Sequence, residues 1–303
     1  MRPAPFVARW ELLPAGEGAF TARLALDDDA PFAGHYPGEP ILPGSLLVEA
    51  LFQAAGSALG GDWRLAEICS ARFQAPLLPG DVLQARLAFV DGEAGEKLVE
   101  ATASGRAESG EFKLRLARVA ASLPVIEPAA DVRSGLSWEQ ARAQGRALDC
   151  DFVRRVLPHR PPALLIDAAI VADAETSKPV MLARKAVTQS ERGYALSGEL
   201  TSFGYPSSLV AESFCQACGL LRASSAPAGA APRDPSKVPV VARLVKLRFV
   251  GEAHPGEILE HRIRLAARMP DGAVFSGESV ASGRVVLQVE RVVAATAPRP
   301  SAG

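Results

Sequence analysis

One block of residues occurs twice in this chain at a fixed separation, and that repeat restricts the possible folds more than any other feature. Gly44 to Gly56 (GSLLVEALFQAAG) is matched by Ser207 to Gly219 (SSLVAESFCQACG). Glu49 and Glu212, Gln53 and Gln216, and Gly56 and Gly219 each lie 163 positions apart (212 − 49, 216 − 53, 219 − 56). Chance rarely aligns three chemically matched positions, so the chain reads as one unit used twice. A second block agrees: Arg72-Phe73 and Pro79-Gly80-Asp81 return as Arg248-Phe249 and Pro255-Gly256-Glu257, at an offset of 176 (248 − 72, 255 − 79). The 13 extra residues (176 − 163) fall on Ala223 to Lys237, whose Ala, Pro, Ser and Gly content predicts a flexible surface loop.

Each copy presents the same order of elements: a long apolar helix, a Phe-containing strand, a Pro-Gly turn, then alternating strands. Leu83, Ala85, Leu87 and Phe89 alternate with Gln84, Arg86 and Ala88, and Phe112, Leu114 and Leu116 with Lys113 and Arg115. Leu259, Ile263 and Leu265 flank Arg262 and Arg264 in the second copy. That pattern predicts half-buried antiparallel strands. The helix from about Ser45 to Leu59 is apolar or small on nearly every face, so it should be buried with a sheet wrapped around it. Between the copies, Ser122 to Asp149 holds Pro124, Pro128 and a polar, helix-permissive run from Ser137 to Arg146, which reads as a linker. From about Ala294 the chain reads as disordered. The expected organisation is a first module over 1–122, a linker over 123–150, a second module over 151–294 and a tail over 295–303.

At 303 residues and 48% hydrophobic the chain has ample apolar surface for two cores. Its 33 Lys+Arg against 34 Asp+Glu leave a charge of −1, which gives no global field for nucleic acid or a membrane surface. No apolar run approaches the roughly 20 residues of a membrane helix. Met1 to Trp10 carries prolines and arginines where a signal peptide would be apolar, so a cytoplasmic location is expected. Cys215 and Cys218 have a C-x-x-C spacing but sit inside an apolar helical run without a second Cys or His pair, so they read as reduced core thiols and no metal site is expected.

The chemistry concentrates in Phe32 to Gly44, where Pro37, Pro40 and Pro43 stiffen the path from His35 to the helix start. The helix then begins at Gly44 or Ser45, aiming its first free N–H groups and positive dipole end back at that loop. Glu49 and Glu212 each lie one turn inside their helix, with Gln53 and Gln216 four residues on along the same face. Burial of such a glutamate should raise its pKa above the free value of roughly 4.3, leaving a carboxyl able to deliver a proton at neutral pH.

Gly34-His35-Tyr36-Pro37, Pro40, Pro43-Gly44, Glu49-Ala50 and Gln53 resemble the motif of the 3-hydroxyacyl-acyl-carrier-protein dehydratases of fatty acid synthesis. The likeness covers Phe32 to Gly56, including the separation of 14 between His35 and Glu49 (49 − 35). The second copy resembles the family through Leu157-Pro158-His159-Arg160-Pro161 and the strand-like Leu164-Leu165-Ile166-Asp167, an opening that the first copy lacks. The second copy in turn lacks the Gly-His-Tyr-Pro signature, the position of His35 falling on Gly198 or Glu199.

The resemblance implies an α+β double hotdog, two antiparallel sheets each wrapping a central helix, arranged as a pseudo-twofold internal dimer. In such dehydratases the histidine of one subunit works with the acid on its partner's helix, and the double-hotdog dehydratase domains of polyketide synthases look similarly divided. Carried over, His35 pairs with Glu212, while Glu49 faces a site without imidazole and stands only as an alternative acid. His35 then removes the α proton, Glu212 protonates the departing 3-hydroxyl, the Gly44 N–H steadies the carbonyl oxygen and Gln216 orients Glu212. The implied reaction is conversion of a phosphopantetheine-linked 3-hydroxyacyl chain on acyl carrier protein to the trans-2-enoyl thioester, in fatty acid or polyketide biosynthesis, without cofactor or metal. Further homo- or hetero-oligomerisation is left open.

A lone histidine near a loop is usually structural; the proline-glycine frame is what tips His35 toward catalysis. His159 and Arg160 read as the opening of the module rather than as site residues. Arg154, Arg155, Arg160, Arg243, Lys246 and Arg248 are candidates for a carrier-docking patch, although a charge run is more often a solvated face. Two alternatives stand beside the dehydratase: a catalytically silent double hotdog that binds acyl carrier protein or an active partner subunit, and a hotdog thioesterase, against which the His35-Tyr36-Pro37 loop counts.

Overall fold

The computed structural model describes residues 2–27, 30–93, 95–119, 137–172, 179–195, 200, 202–225, 234 and 236–299. Among these the first copy supplies β1 (Glu11–Pro14), β2 (Ala19–Ala25), α1 (Gly44–Leu59), β3 (Trp63–Phe73), β4 (Val82–Asp91), β5 (Glu96–Ser104) and β6 (Glu108–Arg118). The remainder comprises α2 (Trp138–Gln144), β7 (Arg146–Leu148), α3 (Cys150–Val156), β8 (Ala168–Ala172), β9 (Val180–Ala186), α4 (Arg192–Ala195), α5 (Ser207–Ser224), β10 (Lys237–Phe249), β11 (Ile258–Met269), β12 (Gly272–Ala281) and β13 (Arg284–Pro298).

The two expected sheets are present and are hydrogen-bonded edge to edge into one sheet of 13 strands, ordered β1-β2-β4-β5-β6-β3-β10-β13-β12-β11-β9-β8-β7. The join is the antiparallel β3·β10 ladder, which pairs Arg72 with Arg243 and Glu67 with Arg248. Moving Arg72 by the repeat offset of 176 gives Arg248, and moving Glu67 gives Arg243 (72 + 176, 67 + 176), so the first pair becomes the second with its members exchanged. A local twofold axis therefore passes through the middle of this ladder. Glu67 binds Arg115 at 3.3 Å and Arg248 at 3.6 Å beside it.

Both central helices are largely buried because most of their faces carry apolar or small side chains. Val48, Ala50, Leu51, Ala54 and Ala55 of α1 and Phe214, Ala217, Leu220 and Leu221 of α5 are fully buried. α1 lies on β3 and β6, α5 touches β8 through β13, and the two helices contact each other, so a single apolar core runs through both halves. Among the described residues no helix is long and apolar enough to cross a membrane.

The module edges differ from those read off the sequence. Part of the expected linker, 123–136, lies outside the described residues, but its end belongs to the second module. Ser137 caps α2 through a reciprocal box with Gln140, and β7 extends the sheet by pairing with β8. The expected insertion starts later than Ala223, because α5 runs to Ser224; residues 226–233 and 235 are outside the description. At the other end β13 continues to Pro298, pairing with β10 as far as Lys237, so residues 295–298 are strand and not tail. Their weak strand propensity yields to the backbone partners that β10 offers.

Phe214, which has no solvent exposure and touches the helix-sheet core, measures how much that core contributes. Phe214→Ala should cost about 3–5 kcal/mol of stability, read from the shift in equilibrium urea unfolding; a loss under about 1 kcal/mol would contradict the packing described.

Candidate active site

Two proline-rich segments, one from each copy, meet and place the imidazoles. Arg160 donates its backbone N–H to the Gly34 carbonyl at 2.7 Å. A side chain at Gly34 would lie 2.1 Å from the Arg160 carbonyl oxygen, and Gly34 adopts φ +78°, so only glycine permits this approach. His35 and His159 follow from that contact, their ring centres 4.9 Å apart. Both are buried, at 7% exposure each. Tyr36 completes the group, its ring 4.5 Å from His35 and 5.6 Å from His159, and its hydroxyl donates to the Pro239 carbonyl.

The Nδ1 of His35 is 2.8 Å from the Ile41 carbonyl oxygen. A carbonyl can only accept, so Nδ1 carries the proton and Nε2 keeps a free lone pair. Burial, seconded by the nearby His159, lowers the His35 pKa from its ordinary 6.5 to about 4, against the opposing pull of Glu212. At neutral pH this imidazole is a base and not a cation.

Glu212 reaches the same place from α5. Its carboxylate accepts the Ser45 hydroxyl at 2.8 Å and the Gln216 amide at 3.0 Å, and lies 3.4 Å from His159 Nε2. One nitrogen from each histidine ring and one Glu212 oxygen all fall within 4.8 Å of one another. Gln216 is fixed in turn by accepting from the Leu165 N–H at 2.9 Å and donating to the Ala163 carbonyl at 2.7 Å. Burial alone would raise the Glu212 pKa, as the sequence suggests, but the direction is reversed. Hydrogen bonding to His159, the electrostatic pull of the two imidazoles and the Gln216 amide together lower it to about 2.

His35, Gly44, Glu212 and Gln216 line one cavity of about 390 Å³, together with His159, Ser45 and apolar groups including Leu47, Phe73, Val240 and Leu244. A side chain at Gly44 would strike the Phe73 ring at 2.8 Å, so glycine keeps the start of α1 open to the cavity. Sequence reading left out Ser45 and set His159 aside. The Ser45 signal was present, since the repeat puts Ser208 at the matching place (208 − 45 = 163). The His159 signal was not, because its nearness to Glu212 depends on the Gly34–Arg160 contact between copies.

The other half mirrors this arrangement without its chemistry. Glu49 accepts Ser208 at 2.8 Å and Gln53 at 3.0 Å, and Gln53 holds Phe6 and Ala8 as Gln216 holds Ala163 and Leu165. Residues 6–8 thus occupy the opening position that the first copy lacked by sequence, at an offset of 157 (163 − 6, 165 − 8). The same count sets Arg2 opposite His159 (159 − 157), and Arg2 is paired with Glu252. The expected counterparts of His35, Gly198 or Glu199, lie outside the described residues. Glu49 borders a separate space of about 60 Å³ beside Arg2, Arg64 and Tyr205, and there burial does raise its carboxyl pKa. Cys215 lines the main cavity, and burial pushes both its thiol and that of Cys218 well above the usual range.

Of the basic residues singled out, Arg154, Arg155 and Arg160 border a cleft of about 450 Å³ with Lys237 and Arg299. This cleft shares Tyr36, Leu157, Pro158, Val238 and Pro239 with the main cavity. Arg243 and Arg248 sit instead in the ladder joining the sheets, and Lys246, between them on β10, pairs with Glu290 at 2.9 Å.

Residues 15–109 match the ApeI-like family model, described as ApeI dehydratase. The chain is 42% identical over 81 residues to the 3-hydroxyacyl-(acyl-carrier-protein) dehydratase FabZ of Chlamydia trachomatis, covering 23% of this chain and 53% of that protein. It is 37% identical over 101 residues to FabZ of Syntrophotalea carbinolica, covering 31% of this chain and 69% of that protein. For the first of these the chain spans about half the relative's length. Two solved structures are similar over nearly the whole fold: the dehydratase domain of PpsC from Mycobacterium tuberculosis (TM-score 0.61, 19% identity, 97% of this chain and 99% of that one) and the dehydratase domain from the CurJ module of curacin polyketide synthase (TM-score 0.64, 11% identity, 95% and 96%).

The buried imidazoles give stability a pH dependence of definite sign. His35, and likewise His261 with a pKa near 3, bind a proton in the unfolded chain below about 6.5 but not in the folded one. Unfolding free energy should therefore fall from pH 7 toward 4, by up to about 1.4 kcal/mol per unit for each histidine. His35→Asn should roughly halve that slope in urea titrations run at successive pH values; stability that is flat between pH 7 and 5 would contradict the assignment.

Proposed function

The chain belongs to the 3-hydroxyacyl-(acyl-carrier-protein) dehydratase family, and on that footing we propose that it removes water from a 3-hydroxyacyl thioester carried on acyl carrier protein, giving the trans-2-enoyl thioester. The observation that carries this reading is the convergence of His35 from the first copy and Glu212 from the second on one largely apolar cavity, within 4.8 Å of each other.

The His35 lone pair takes the proton α to the thioester carbonyl, and the Nδ1–H bond to Ile41 fixes the ring in the tautomer that does so. Charge gathers on the carbonyl oxygen as that proton leaves. The Gly44 N–H, in the first turn of α1 and at the cavity wall, is the donor for it, and the dipole of α1 adds its positive end. Glu212 faces the 3-hydroxyl and hands it a proton as the C–O bond breaks, held in place by Ser45 and Gln216. Since Glu212 is ionised in the resting site, that proton must reach it from a neighbouring group.

The acyl chain extends along Leu47, Phe73, Val240 and Leu244. The phosphopantetheine phosphate and the acidic carrier meet the cleft of Arg154, Arg155, Lys237 and Arg299 that adjoins the cavity. Among the described residues only about 60 Å³ opens beside Glu49, Arg2 stands at the place of His159, and the sequence offers Gly198 or Glu199 where His35 would be, so each chain holds one working site.

Incubation with a 3-hydroxyacyl carrier substrate should yield the trans-2-enoyl product. His35→Ala and Glu212→Gln should each lower kcat/KM by about 10²–10⁴-fold with the circular dichroism spectrum unchanged, while Glu49→Gln stays within a few-fold of wild type. Full turnover in His35→Ala, or release of free thiol in place of enoyl product, would reject the reading.

A further inference from the structure

Resting on the dehydratase reading, we propose that His159 is the positioning partner of Glu212 and shares with it the proton that the departing hydroxyl takes. Three observations converge. His159 Nε2 lies 3.4 Å from Glu212 Oε1, whereas its other nitrogen, Nδ1, is buried without a hydrogen-bond partner among the described residues, so among these the ring's one polar contact is the carboxylate. The ring is clamped between elements: its own segment is tied to Gly34 through Arg160, and Tyr36 and His35 pack on it at 5.6 and 4.9 Å. Finally, His159 lines the reaction cavity itself, buried to 7% exposure.

The surroundings leave few other sources for the proton. The groups facing His159 and Glu212 are His35 and Tyr36 from the first copy's loop, Ser45 from α1, and Cys215 and Gln216 from α5; the Tyr205 hydroxyl also feels Glu212, and burial raises its pKa well above the usual range. Arg160 turns its guanidinium onto the Leu157 and His159 carbonyls. Lys185, paired with Glu191, borders the neighbouring space that His35 and Glu212 also reach. Ser45 and Gln216 are neutral donors, the Tyr36 hydroxyl is committed to Pro239, and the Cys215 thiol is held protonated by burial.

The proton count closes. The α C–H bond breaks with its proton passing to His35; the electron pair forms the Cα=Cβ bond; the Cβ–O bond breaks; and the oxygen leaves as water with the proton shared by His159 and Glu212. His35 then carries one proton more and the His159–Glu212 pair one fewer. Across 4.9 Å between ring centres the proton returns from His35 to His159, restoring the resting state.

The test is the pH profile of kcat/KM for wild type, His159→Phe and His159→Gln. In His159→Phe the proton rests on Glu212 alone, so the rate at pH 7.5 should fall by about 10²-fold. The limb on which activity declines with rising pH should also move down by more than one unit. His159→Gln, which can still donate to Glu212 but stores no proton, should restore KM and circular dichroism while keeping the shifted limb. Limbs left at their wild-type positions in both variants would overturn the assignment, since a merely structural histidine lowers the rate without moving them. Absence of elimination by wild type would sink the dehydratase reading as well, and so is told apart from failure of the His159 proposal alone.

Discussion

Two largely buried helix carboxylates are each satisfied by a serine from the opposite helix, and this reciprocal exchange fixes how the halves of the molecule meet. Ser45 donates to Glu212 and Ser208 to Glu49, both at 2.8 Å. A buried carboxylate without partners costs several kcal/mol, so neither helix can rotate or slide without exposing one of them to that cost. The β3·β10 ladder obeys the same local twofold, and the glutamines extend the constraint outward to the chain segments at residues 6–8 and 163–165. The cavity is positioned by this frame rather than by its own loops alone.

Within so symmetric a frame, the two halves have diverged chemically. On one side two imidazoles lower the pKa of the carboxyl and a cavity of about 390 Å³ opens beside it. On the other, burial raises the pKa of a carboxyl that has only neutral donors, and the adjoining space shrinks to about 60 Å³. Identical positions in a repeat thus acquire opposite proton affinities from their neighbours, and the direction follows from whether imidazoles or only neutral amide and hydroxyl donors stand beside the carboxyl group.

The duplication was legible because it is written in residue identity: the 163 offset of Glu49/Glu212 and Gln53/Gln216, together with the burial of the two helices, follows from sequence and pattern. His35 and the glycine-proline frame around it were equally plain. What escaped depends on contacts between segments far apart in the chain. His159 looks like a loop residue until Gly34 and Arg160 bond across the copies. The pKa of Glu212 looks raised until that histidine is beside it. β13 beyond Ala294 reads as a tail because Ala, Thr and Pro carry little strand preference, yet β10 supplies the partners that order it.

The central claim is that His35 and Glu212 meet within a single chain. Mixing purified, separately inactivated His35→Ala and Glu212→Gln chains, after co-unfolding and refolding together, tests it most directly. If the pair is internal, every chain in the mixture lacks one member and dehydration stays at the level of the single variants. Recovery of a substantial fraction of wild-type activity would show that the two groups come from different chains and would contradict the account.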